Sequence, residues 1–166
     1  MKNLLVSLRT RVLVLLTHNV ALPLLRKVRK PAIFRYSELE LFQLPEGTLG
    51  NDLYHFLEKR NLDLMPHYAR HDIKHVLLGY DTTDEGEVCL QSFMLGNGRV
   101  SFPVLATVIY GFITMPEYWS KMKEAYRLGK KCTSFHAWNW NELVTENTVT
   151  LKKRIFRDWP FNSATN

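Results

Sequence analysis

Several things are scarce in this 166-residue chain, and each scarcity excludes something. There are two cysteines, Cys89 and Cys132, far apart in the sequence. No disulfide framework can hold the chain together, and both read as buried thiols in a reducing compartment. Strand signals are weak throughout, which sets aside sandwiches and barrels. No internal repeat or low-complexity tract occurs. No Walker loop, dinucleotide fingerprint or nucleophile elbow is present, so the usual nucleotide-dependent and serine-hydrolase chemistries have no foothold. No apolar run is long enough to span a membrane: Arg9 and Arg11 cut the N-terminal one, leaving Val12 to Leu16. That stretch is also a poor signal peptide, lacking a small-residue cleavage site, and it does not read as a transit peptide. Acidic residues are absent before Glu38, where eight basic ones stand: Lys2, Arg9, Arg11, Arg26, Lys27, Arg29, Lys30 and Arg35. The chain carries +6, so the remainder is 6 − 8 = −2. The basic character belongs to an arm suited to an anionic surface, and no nucleic-acid partner is expected.

What is present is helical punctuation. The expectation is one all-α domain over 1–166, a helical bundle with a basic N-terminal helix over 1–30. That helix, apolar at Leu4, Leu8, Val12 and Leu15, is either packed in the bundle or lies on lipid through Arg26 to Lys30. Ser37 caps a short helix through Leu44, and Pro45, Gly47 and Gly50 break the chain. Asn51 starts a helix to about Arg60, carrying His55 as a surface or packed residue. Pro66 opens the next helix, with His67 solvent-facing or bracing the residues after it. Gly79 stops that helix, and Thr82 with Glu85 reads as a capping box opening another. This one runs to Leu95 and ends at Gly96-Asn97-Gly98. Val104 to Thr114 is apolar nearly all round, which predicts a central helix. Pro116 starts a helix whose Tyr118, Trp119, Met122 and Tyr126 read as core, and Gly129 ends it. After an irregular stretch from Lys131 to Trp140, a last helix spans Thr148 to Arg157.

The chemistry concentrates in Tyr68 to Glu87. On a helix His71, Asp72 and His75 point to roughly 0°, 100° and 40°, so they can converge. Two imidazoles and a carboxylate suit a divalent transition metal. Glu87, in the first turns of the following helix, can return toward them across a tight hairpin. The metal site is then expected between two central helices, where bundles build such sites. A hydrogen-bond network bracing the two helices is the plainer reading of the same four residues. A zincin is excluded, since Asp72 stands where HExxH has its glutamate. A phosphohydrolase of the HD type needs a further His and Asp, which His55 and Asp84, for example, could supply, but in a less economical assembly.

HD, two residues, H, eleven residues and E resembles the signature of the coenzyme Q biosynthesis protein 4 family. LPEGTLG at Leu44 to Gly50, HVLLG with the DTTDEGEV turn, and NWNEL at Asn139 to Leu143 are similar to its other segments. By this resemblance His71, Asp72, His75 and Glu87 hold the metal and carry the catalysis. The metal is zinc by resemblance, while the donor set equally suits iron. The resemblance implies a lyase-type oxidative decarboxylase, which removes the C1 carboxylate of a polyprenylated hydroxybenzoate and installs a hydroxyl. The alternative is a non-catalytic prenyl-lipid carrier or scaffold for other quinone-biosynthesis enzymes. Expected partners are a prenylated quinone precursor or isoprenoid lipid, the membrane surface, those enzymes and a second copy of the chain. The expected location is cytoplasmic, peripheral on the inner membrane face. An apolar channel for the tail is sought along Val104 to Phe112 and at Leu77, Leu90 and Phe93.

Overall fold

The structure is a computed structural model that describes residues 33–157. The helix expected over 1–30, with Arg26, Lys27, Arg29 and Lys30, lies outside the described residues. In chain order the helices are α1 (Glu38–Phe42), α2 (Leu49–Glu58), α3 (Ala69–Leu78), α4 (Asp84–Gly96), α5 (Phe102–Thr114), α6 (Trp119–Lys131), α7 (Trp140–Leu143) and α8 (Thr148–Ile155). A 3₁₀ turn, Pro116–Tyr118, leads into α6. The described residues contain no strand, only an isolated bridge between Thr48 and Asn147. The all-α expectation holds.

Side chains cap four of the eight described helices. Ser37 and Glu40 form a reciprocal box at α1. The hydroxyls of Thr48 and Thr83 accept from Asn51 N and Gly86 N at the starts of α2 and α4. Asn147 accepts from Thr150 N at α8. Each satisfies a donor that a helix start leaves over. Asp84, Glu85 and Glu87 crowd the first turn of α4, where negative charge is favoured.

The chain forms two compact units. In a flanking unit, made of Ile33–Tyr80 and 130–157, α2 packs against α1 and α3, and α8 packs on α3. Leu41, Leu49, Leu53, Ile73, Leu77, Leu151 and Ile155 are fully buried there. Backbone bonds sew its two sequence segments together: Leu49 N to Glu146 O at 2.9 Å, Gly50 N to Val144 O at 2.8 Å, and Thr148 N to Gly47 O at 2.9 Å. In the middle unit, Asp81–Gly129, α4 and α5 form a hairpin. Gly111 lets α5 approach Val88, whose Cγ1 would stand 2.7 Å from an added Cβ. Gly96 and Gly129 lie against the backbone carbonyls of Tyr126 and Phe93, which lets α4 and α6 meet closely.

Several boundaries differ from expectation. The second helix starts at Leu49, with Asn51 inside its first turn, because Thr48 supplies the cap. Pro66 belongs to a turn before α3, which opens at Ala69. The cap of α4 is Thr83, one residue after Thr82. Gly129 does not end α6, which runs to Lys131; its missing side chain serves packing instead. α8 stops at Ile155. Of the aromatic set read as core on α6, Met122 is buried while Trp119 and Tyr126 are exposed. The largest departure is α5. It is not central: only Val104 and Gly111 are buried, and Ile109, Phe112 and Ile113 are 56%, 58% and 72% exposed. Apolarity all round gives a helix no preferred face, and the face chosen here is the one bearing the smallest residue, Gly111.

Candidate metal centre

Within the flanking unit, α3 presents its two histidines to each other. His75 is 1% exposed, while His71 is half-buried. Their Nε2 atoms stand 3.0 Å apart, with the rings at 83°. The Nδ1 of His75 lies 3.0 Å from the carbonyl oxygen of Tyr80. A carbonyl only accepts, so this Nδ1 carries the proton. In the neutral ring the Nε2 lone pair is therefore the one aimed at His71. That is the tautomer a metal-ligating histidine uses, its far nitrogen tied to an acceptor. Two nitrogens at zinc bonding distance, roughly 2.0–2.1 Å and tetrahedral, stand about 3.3 Å from each other. The 3.0 Å spacing is thus near that of two nitrogens sharing one ion. Without an ion, His71 Nε2–H donates to His75; binding a metal displaces that proton. The donor pair fits a divalent transition metal.

The backbone makes this arrangement. Gly79, at φ +74°, ends α3 in the left-handed conformation and returns its N–H to His75 O. The following residue, Tyr80, thereby places its carbonyl at the buried imidazole. Behind His75 a stack builds up from α2. Phe56 lies parallel to the imidazole at 5.9 Å and 20°, and the Arg60 guanidinium covers Phe56 at 3.8 Å while donating to its carbonyl. Tyr68 meets His71 edge-on at 6.4 Å.

Of the four expected ligands, the flanking unit brings His71 and His75 together. Asp72 follows His71 in the first turn of α3 and is half-buried. Glu87 belongs to the middle unit, half-buried in the first turn of α4. Only five residues, Gly79 to Thr83, separate the two helices. Gly86 keeps that start compact, since a Cβ there would run into the backbone of Asp81. Two further described histidines stay apart from this chemistry. His55 is exposed and pairs with Glu58 at 3.1 Å, and His67 is exposed. Leu77, Leu90 and Phe93 are fully buried packing residues.

Sequence reasoning missed three contributors. Phe56 on α2 and Arg60 in the turn just after it are spaced i,i+4, a readable pair, but nothing in the spacing says that a histidine of another helix lies beyond them. The Tyr80 carbonyl has no residue signature at all.

The family model for "Coenzyme Q (ubiquinone) biosynthesis protein Coq4" matches residues 64–157, a span that holds all four expected ligands. The crystal structure of a Nostoc punctiforme protein assigned to ubiquinone biosynthesis is similar to this chain, with a TM-score of 0.62 at 22% identity. The match covers 93% of this chain and 82% of that one, and it supports the fold. Among curated proteins, none matches.

Proposed function

Given that the chain belongs to the Coq4 family of ubiquinone biosynthesis proteins, we propose that it is a metal-dependent decarboxylase of a polyprenylated hydroxybenzoate. With molecular oxygen as the two-electron oxidant, it releases the C1 carboxylate as carbon dioxide and puts a hydroxyl in its place, drawing its substrate from the membrane surface. The observation that carries the reading is the His71–His75 pair, with the buried imidazole held in the ligating tautomer by the Tyr80 carbonyl. His71 and His75 are assigned as nitrogen ligands, and Glu87 and Asp72 as the carboxylates completing the set.

A divalent ion so held supplies a Lewis acid to a carboxylated ring, or, if it is iron, oxygen activation as well. The chain's own part is orientation and exclusion of water. The Tyr80 carbonyl fixes one ring, Phe56 and Arg60 back it, and the burial of His75 keeps its lone pair unhydrated. The half-buried His71 marks the side from which a ring carboxylate approaches.

Carboxyl-labelled prenyl hydroxybenzoate, incubated with protein loaded with zinc or iron under oxygen, tests this. Release of labelled carbon dioxide with formation of the C1 hydroxyl is expected, and its loss in His75→Ala. Tight binding of the lipid with no release under any metal would reject the enzyme and assign a carrier role.

A further inference from the structure

Arg60 lies in the turn just after α2, and its backbone explains where its side chain goes. Its own N–H bonds to Leu57 O at 3.0 Å. Phe56 O, one of the carbonyls that a helix end leaves over, is therefore not taken by that N–H. The guanidinium takes it instead, Nη1 donating to Phe56 O at 3.1 Å. Asn61 follows at φ +50°, the left-handed conformation in which a chain leaves a helix. Leu62 N then returns to Leu57 O at 3.1 Å. Arg60 is thereby held at the C-terminal end of α2, where a cation is favoured. The same bond lays the guanidinium over the Phe56 ring, 3.8 Å from its centroid. Phe56 in turn lies 5.9 Å from the His75 imidazole, with the planes 20° apart.

We infer that Arg60 is a positioning residue of the metal centre, holding the Phe56 ring against His75 without touching the ion. The hydrogen bond from Nδ1 to Tyr80 O sets the tautomer of His75, but one bond leaves a ring free to rock about it. A parallel ring laid on the imidazole removes that freedom, provided that it is itself held. Phe56 is half-buried, so its ring has more freedom than a core side chain unless something lies on it. Arg60 does so, pinned to the backbone of the very residue whose ring it covers. Charge alone would act in the opposite direction. A guanidinium and a divalent ion repel each other, so an Arg60 acting through charge would weaken metal binding. An Arg60 acting through Phe56 strengthens it. The flat guanidinium is also what a lysine cannot replace at a stacked site.

The inference rests on the metal reading above. The full chain is loaded with zinc or with cobalt(II). Wild type is compared with Arg60→Met, which keeps an apolar stem, with Arg60→Lys, with Phe56→Leu, and with Phe56→Leu/Arg60→Met. Competition with a chelator reads affinity, the visible absorption of the cobalt protein reads ligand geometry, and melting reads folding. Arg60→Met is expected to weaken zinc binding by about tenfold or less and to shift the cobalt bands. Arg60→Lys, which keeps the charge and loses the plane, should do the same. The double variant should bind no more weakly than Phe56→Leu alone, because both changes disable one device. Tighter binding by Arg60→Met, wild-type binding by Arg60→Lys, or additive losses in the double variant would each overturn the inference. So would a lower melting temperature with affinity and cobalt bands unchanged, which would make Arg60 a helix cap and no more. Wild type that takes up neither metal would sink the metal centre and this inference with it. Wild type that binds beside unaffected variants would sink the inference alone.

Discussion

α3 and α5 invert the usual relation between composition and burial. α3 reads ARHDIKHVLL, half of it charged or histidine, yet it buries Ala69, Ile73, His75 and Leu77. α5 reads FPVLATVIYGFIT, with no charge at all, yet it buries two residues of thirteen. The difference lies in what each side chain meets. On α3 a polar ring can be buried because both its nitrogens have partners, which removes most of the cost of taking it out of water. On α5 the packing face is chosen by shape, with Gly111 admitting Val88, and the bulky residues are left over. Hydropathy ranks residues by what they avoid; partners and shape decide where they go.

Breaking the α3 side should give the largest effect. His75→Ala is expected to lower metal occupancy by more than about a hundredfold, since loss of even an outer partner typically costs ten- to a hundredfold. Elemental analysis of wild type beside His75→Ala and Glu87→Ala measures it, and Asp72→Asn ranks the fourth ligand. Equal metal in every protein would reduce the site to a histidine pair bracing a helix.

This same side was also the more legible in sequence. The meeting of His71 and His75 on one helix, the Gly79 stop and the helix after it could be read from residue types, because caps and i,i+4 spacing are local properties. Starts moved by one or two residues where two capping residues competed, as with Thr82 and Thr83. The α5 side was misread because periodicity reports faces, and a helix apolar all round has none to report. The exposure of Ile109 and Ile113 depends on what α4 offers, which lies in three-dimensional packing and not in the helix itself.

The next effect sharpens the α5 side of the comparison. Gly111→Leu should destabilise by about 1–3 kcal/mol, as overpacking does, read as a lower melting temperature, while the exposed Ile113→Ser should stay within about 0.5 kcal/mol. Similar losses from both would mean that this face is packed and the contrast with α3 is wrong.

A smaller effect is expected behind the histidine. Phe56→Leu keeps an apolar side chain but removes the aromatic face lying on His75, and should weaken metal binding by about tenfold or less. A competition titration against a chelator resolves this, and an unaltered affinity would confine the stack to packing.

The smallest effect concerns Cys89, whose thiol burial pushes up to about 11. In the unfolded chain it ionises near 9, its ordinary value. The folded form therefore keeps its share of stability below pH 9 and loses it as the pH rises toward 11. Alkylation at neutral pH should be slow in the native protein and fast in denaturant; rapid native labelling would show that the thiol is open to solvent.

Gly79 carries a consequence for inherited variation. The acceptor that sets the His75 tautomer is a main-chain atom, so no change of the Tyr80 side chain deletes it. Drift at position 80 is buffered. Gly79 is different: a Cβ there would touch nothing within 4 Å, yet its φ of +74° is one that other residues resist. A methyl group projecting into empty solvent would act on the buried nitrogen by re-aiming one carbonyl. A survey of variants by contact alone would score that site as silent, whereas its genetic signature should be that of a ligand.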